Sequence, residues 1–147
     1  MNIYTIGFTK KTAREFFEKI SDTPVQLVLD VRLNNVSQLA GFSKGNDLKY
    51  FLDKICRVQY AHDIKFAPTK EILKDYKDKK MTWEEYEKRY FSLMQERDII
   101  TYFNNKYLNK DDNICLLCSE ATPENCHRRL LAEILKASID NVTIYHI

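Results

Sequence analysis

Two short stretches, VQLVLDV at 25–31 and NICLLC at 113–118, are apolar at almost every position. A strand that is apolar on both sides needs cover on both sides. Strands of that kind belong to parallel sheets, where crossover helices on the two faces supply the cover. The intervening sequence has the pattern of such helices. Thr12-Ala-Arg-Glu15 is a capping box opening a helix with Ala13, Phe16, Phe17 and Ile20 on one face. Leu48, Phe51, Leu52 and Ile55 form a second stripe. Thr82-Trp-Glu-Glu85 is another capping box, ahead of Tyr86, Tyr90, Leu93 and Met94. Further helices are expected over 69–76, 97–108 and 122–141. Short strands are expected at 2–6, 58–62 and 142–146. The alternation predicts one α/β domain over 1–147, a small three-layer Rossmann-like fold with a mostly parallel sheet. Its helical middle, about 69–109, is placed as a cover over the site.

The 147 residues suit a single domain and bury enough surface to fold without a metal or disulfide staple. Hydrophobic residues make up 44%, which excludes a disordered chain. No apolar run reaches the roughly 18 residues of a membrane helix, and MNIYTIGFTKK does not read as a signal peptide. The expectation is a cytoplasmic protein with no membrane partner. A net charge of +2 does not suit a dedicated nucleic-acid binder, which relies on many phosphate contacts. The three glycines, Gly7, Gly41 and Gly45, cannot form a G-x-G-x-x-G fingerprint, and no Walker A, H-E-x-x-H or G-x-S-x-G motif is present. No cofactor is called for.

Ligands of open parallel sheets bind beyond the carboxyl ends of the strands. Gly7 and Thr9 follow the first expected strand, Asp30 and Arg32 end the second, and Cys118, Ser119 and Glu120 end the NICLLC strand. Thr122 is read as the N-cap of the next helix, with Pro123 at its first position. His127 then lies in the middle of the stripe Leu130, Leu131, Ile134, Leu135 and faces the sheet near that edge. Arg128 sits at the margin of the stripe, and Arg129 points to solvent. A thiol between a buried strand and a helix N-terminus has a physical route to a lowered pKa. Cys118 is thus a candidate nucleophile, with packing as the competing explanation. Asp30 and Arg32 are candidates for base and anion ligand, or for a local ion pair.

Cys115, Cys118, Cys126 and His127 read as C-x2-C-x7-C-H, which has the look of a zinc motif. Residues three apart on a strand face opposite sides, and Cys126 and His127 are neighbours on the expected helix. No metal site is therefore expected. Cys56 is assigned to packing. Over 70–89, Lys74, Lys77, Lys79 and Lys80 alternate with Tyr76, Trp83 and Tyr86, but six acidic residues largely cancel the charge. A solvated helix pair over the sheet is favoured there over a nucleic-acid surface.

YTIG at 4–7, DVR at 30–32, GFSK at 41–44 and LLCSEATPENCHRRLL at 116–131 together resemble the domain-of-unknown-function 488 family of small prokaryotic proteins. Within the last segment Cys118, Glu120, Pro123, Cys126, His127 and Arg128 match the pattern LLCxExxPxxCHR. The chain departs from the family pattern in carrying Phe8 where a histidine often follows the first glycine. It also has HDIKFAP at 62–68 in place of a Leu-Gly-Gly motif. The resemblance implies an α/β fold and supplies no substrate.

The leading expectation is an enzyme, a hydrolase or transferase, that binds an anionic ligand derived from a nucleotide or nucleic acid. Arg32 and Arg128, with Gly7, Thr9 and Ser119, would hold the ligand. Asp30, Glu120 and His127 would move protons, and Cys118 would attack or line the wall. A non-catalytic module for nucleic acid or protein is the second reading, and a thiol-redox or zinc protein the third.

Overall fold

A computed structural model describes residues 1–36, 40–108 and 113–147. Residue 109, the expected end of the helical middle, lies outside them. Within the described residues are strands β1 (Asn2–Gly7), β2 (Leu27–Asp30), β3 (Gln59–His62), β4 (Asn113–Cys118) and β5 (Thr143–His146). They form one sheet in the order β3-β2-β4-β1-β5, and every pairing is parallel. The helices are α1 (Ala13–Ser21), α2 (Gly45–Phe51), α3 (Lys70–Lys77), α4 (Trp83–Glu96), α5 (Ile99–Lys106) and α6 (His127–Ser138). This is the expected three-layer α/β fold.

Strand alternation divides the apolar side chains between two cores. Ile114, Leu116 and Cys118 of β4 face one layer, while Cys115 and Leu117 face the other. The first layer holds α3, α4, α5 and α6, including Ile72, Tyr90, Met94, Phe103 and Leu131. The second holds α1 and α2, with Phe16, Phe17, Ile20 and Leu48. Leu116 and Leu117 are fully buried on opposite faces, each worth about 1.5–3 kcal/mol. Both expected capping boxes form: Thr12 with Glu15 opens α1, and Thr82 with Glu85 opens α4.

The topology places the site. From β1 and from β2 the chain moves toward the β3 edge, through helices on the second layer. From β4 it moves the other way, through α6 on the first layer. The connections thus diverge to opposite faces at β4, leaving a crevice beyond its carboxyl end. Register aligns Gly7 with Cys118 and Asp30 with Leu117, so three loops leave the sheet at one level.

Two local expectations need correction. The last long helix begins at His127, five residues after the expected cap. Residues 119–126 form a turn-rich connection, in which the Cys126 N–H bonds the Pro123 carbonyl at 3.2 Å. Cys126 is the N-cap, extended at φ −137° and ψ 134°, so its side chain projects from a strand-like residue. Arg129 is half-buried: it bridges Glu87 of α4 at 2.6 Å and Glu133 at 2.8 Å, tying α6 to α4. The α2 stripe continues past Phe51 as a π-helical turn, Leu52–Cys56, ended by Arg57 in the left-handed region at φ 56°.

Candidate active site at the sheet edge

A hollow of about 230 Å³ opens beyond the carboxyl ends of β2 and β4. One wall carries Arg32, Cys118, Ser119, Glu120, Cys126 and His127. The opposite wall is α3 and α4, through Leu73, Tyr76, Trp83 and Tyr86. The Trp83 and Tyr86 rings stack at 4.7 Å, and Tyr76 lies 5.2 Å from Tyr86. The helical middle lines this hollow through Leu73 and aromatic side chains, and the charged residues of 70–89 are not what meets it.

Asp30 and Arg32 form a buried pair. The Asp30 carboxylate accepts from Arg32 Nε at 2.8 Å, from Arg32 Nη2 at 2.6 Å and from the Tyr60 hydroxyl at 2.7 Å. Arg32 Nη2 also donates to the Ser43 carbonyl at 2.8 Å. Burial works against the Arg32 charge, and the Asp30 carboxylate outweighs it and raises the guanidinium pKa. Both Asp30 oxygens are engaged, so Asp30 orients Arg32. The Phe8 ring, 5.1 Å from the guanidinium carbon, packs on the same group. Arg32 Nη1 is buried and has no hydrogen-bond partner among the described residues. A buried donor left unpaired, on a residue that lines the hollow, invites an acceptor.

Cys118 Sγ lies 3.7 Å from Nδ1 and 3.8 Å from Nε2 of His127. Nε2 is 2.8 Å from the Val31 carbonyl, which can only accept, so Nε2 carries the proton. Nδ1 then keeps a lone pair, and the sulfur stands almost equally far from the two ring nitrogens. The Cys118 pKa is lowered, first by a hydrogen bond from the Cys126 thiol, against burial, with help from the Ser119 N–H and the Arg128 charge. Burial, and then the Cys118 sulfur, push the Cys126 thiol well up. On the opposite sheet face, burial pushes Cys115 up to about 12.

The remaining candidates serve the frame. Arg128 is buried; its Nη1 donates to the Glu120 carbonyl at 2.7 Å and to Cys126 Sγ at 3.3 Å. It clamps the loop after β4 and does not line the hollow. Gly7 passes that loop so closely that a Cβ would sit 1.6 Å from the Glu120 oxygen. The Thr9 N–H bonds the Ser119 carbonyl at 3.1 Å, and the exposed Thr9 side chain does not line the hollow. The Glu120 side chain is exposed and lines the hollow. Cys56 accepts from the Ser21 hydroxyl at 3.2 Å, away from the site.

Among the described residues, Cys118, Cys126 and His127 have donor atoms within 4.8 Å of one another. Cys115 is excluded by strand alternation, as expected. The neighbours Cys126 and His127 do converge, because Cys126 is extended and precedes the helix. Tyr60 was not anticipated as a support of Asp30, nor Cys126 as a partner of Cys118. The first pairing crosses 30 residues and has no local signal; the second depended on where α6 begins.

The fold and this edge define a parallel α/β protein with a thiol, an imidazole and a buried guanidinium around one crevice. Residues 12–135 match the family described as Domain of unknown function DUF488, and the chain belongs to it. No curated protein and no solved structure matches the chain. Among the described residues, no helix is long and apolar enough to cross a membrane.

Proposed function

We propose that the protein is an enzyme whose Cys118 attacks an anionic ligand held in the hollow between β4 and α4. One observation carries this reading: Arg32, whose buried Nη1 has no hydrogen-bond partner among the described residues, lines the same hollow as Cys118. The guanidinium accounts for an anion, and Asp30, Tyr60 and Ser43 fix its direction. The N-terminus of α6 adds to the attraction, since Cys126 gives it no side-chain cap. In the reaction, the thiolate adds to an electrophilic centre beside the negative group. Nδ1 of His127 takes the thiol proton and returns it to the leaving group. The Val31 carbonyl positions the imidazole, as a third group positions the base in other thiol sites. Trp83, Tyr76 and Tyr86 offer aromatic rings to the apolar part of the ligand, which fits a nucleotide-derived anion.

Alkylation by iodoacetamide, followed by peptide mapping across pH, tests the thiol role. Cys118 is expected to react with an apparent pKa below the roughly 8.5 of a free thiol. Phosphate or a nucleoside monophosphate is expected to slow the reaction, and Arg32→Lys is expected to weaken that protection. A Cys118 that titrates like a free thiol, or is untouched by anions, refutes the reading.

A further inference from the structure

We infer that Cys118, Cys126 and His127 form a three-donor site for a soft divalent metal of the zinc class, with its fourth position open to the hollow. The inference goes beyond the thiol reading, because the metal takes the same Cys118 electron pair and so silences the nucleophile.

Three features support it. The first is donor type. Two sulfurs and one imidazole nitrogen favour zinc and its analogues over magnesium or calcium, which prefer oxygen. The second is reach. Zinc–sulfur bonds of about 2.3 Å and zinc–nitrogen bonds of about 2.0–2.1 Å require tetrahedral donors to stand roughly 3.5–3.8 Å apart. Here all three donors lie within 4.8 Å, and Cys118 Sγ is 3.7 Å from Nδ1. Small side-chain rotations close the set. The third is the surroundings. The Nε2–H of His127 donates to the Val31 carbonyl, the kind of partner that holds a metal-bound histidine in one tautomer. Arg128 Nη1 lies 3.3 Å from Cys126 Sγ and supplies an N–H to a thiolate there.

Charge also balances. A dication displaces one proton from each thiol to solvent, and the two thiolates neutralise it beside the neutral imidazole. Arg128 then meets a neutral centre with electron-rich sulfur. All three residues line the hollow, so a water molecule or a ligand can complete the tetrahedron. Cys115 and Cys56 take no part: one faces the opposite core and the other lies by Ser21.

The test uses the whole chain, stripped with EDTA and kept under a reducing atmosphere. Titration with cobalt(II) is expected to give sulfur-to-cobalt charge-transfer absorption that saturates at one equivalent. About two protons are released per metal at a pH where both thiols start protonated. Cys126→Ser and His127→Gln are expected to lose at least ten-fold in affinity, while Cys115→Ala keeps the wild-type titration. Saturating zinc is expected to slow alkylation of Cys118 ten-fold or more, with recovery in EDTA. The wild-type titration and the alkylation arm need no variant to fold. Absence of the charge-transfer band, an affinity unchanged by loss of Cys126 or His127, or a Cys118–Cys126 disulfide that forms in place of metal binding overturns the inference. The two readings fail separately. A stripped Cys118 with a low apparent pKa but no cobalt band leaves only the nucleophile. A cobalt site with an ordinary thiol in the stripped protein leaves only the metal.

Discussion

Replacing Gly7 by alanine strikes the joint on which the site is built. The new methyl group would sit 1.6 Å from the Glu120 carbonyl oxygen and 2.7 Å from its carbon, both backbone atoms. To reach ordinary contact the oxygen has to retreat by roughly 1.5–2 Å in a close-packed interior. That retreat breaks the 2.7 Å bond from Arg128 Nη1 to Glu120 and strains the 3.1 Å bond from the Thr9 N–H to Ser119. The first involves a charge and is worth about 1.5–3 kcal/mol net, the second about 0.5–1.5. Crowding adds about 1–3 kcal/mol. The losses overlap, because one loop movement relieves the clash and breaks the bonds, so the expected total is about 3–5 kcal/mol. Urea unfolding followed by circular dichroism measures it. Alkylation of Cys118 in the native variant, compared with wild type, reports whether the loop moved. Gly41→Ala is the control: nothing lies within 4 Å of its Cβ position, so it should stay within about 0.5 kcal/mol of wild type. A Gly7→Ala protein within 1 kcal/mol of wild type, with unchanged Cys118 reactivity, would refute the close-approach argument.

Asp63 accepts from Tyr102, Lys106 and Tyr107 at 2.9, 2.7 and 2.6 Å and from the Lys65 N–H at 3.1 Å. Burial opposes its charge, but these donors prevail and hold its pKa below the usual carboxylate value. Its stabilisation is present above the unfolded pKa of about 3.9 and is lost as pH falls through the lower native value. Asp63→Asn should cost about 2–3 kcal/mol at neutral pH, with the gap to wild type closing in acid; a pH-independent gap in urea midpoints contradicts this. Thr82→Ala removes the acceptor for the Glu85 N–H and should cost about 1 kcal/mol by thermal unfolding. Cys115, pushed up to about 12 and buried, should label only on unfolding, so labelling of native protein at pH 8 counts against its placement.

The layers of the fold were legible because their signals are local. VQLVLDV and NICLLC announce strands covered on both faces, and the two Thr-x-x-Glu boxes mark helix starts that the structure keeps. Strand order was not legible, since which strands pair depends on contacts far apart in the chain. Pro123 suggested an early start for α6 because proline suits a first helical position. The 119–126 connection instead crosses the sheet edge, and the helix starts at His127. That shift of four residues decides where the Cys126 thiol points, so the sequence-based objection to grouping it with His127 did not hold. Asp30 and Arg32 were legible as a pair at a strand end. The role of Arg32 as the group left with a spare donor required Tyr60 and Ser43, which only the folded chain brings close.

The aromatic wall of the hollow comes from one unbroken run of chain, α3 into α4, inserted between β3 and β4. The reactive wall comes from β2, β4 and the start of α6. Under the proposed function, selectivity and chemistry are therefore written in different stretches of sequence. Exchanging the α3–α4 insert would alter what fits inside while leaving thiol, imidazole and guanidinium in register.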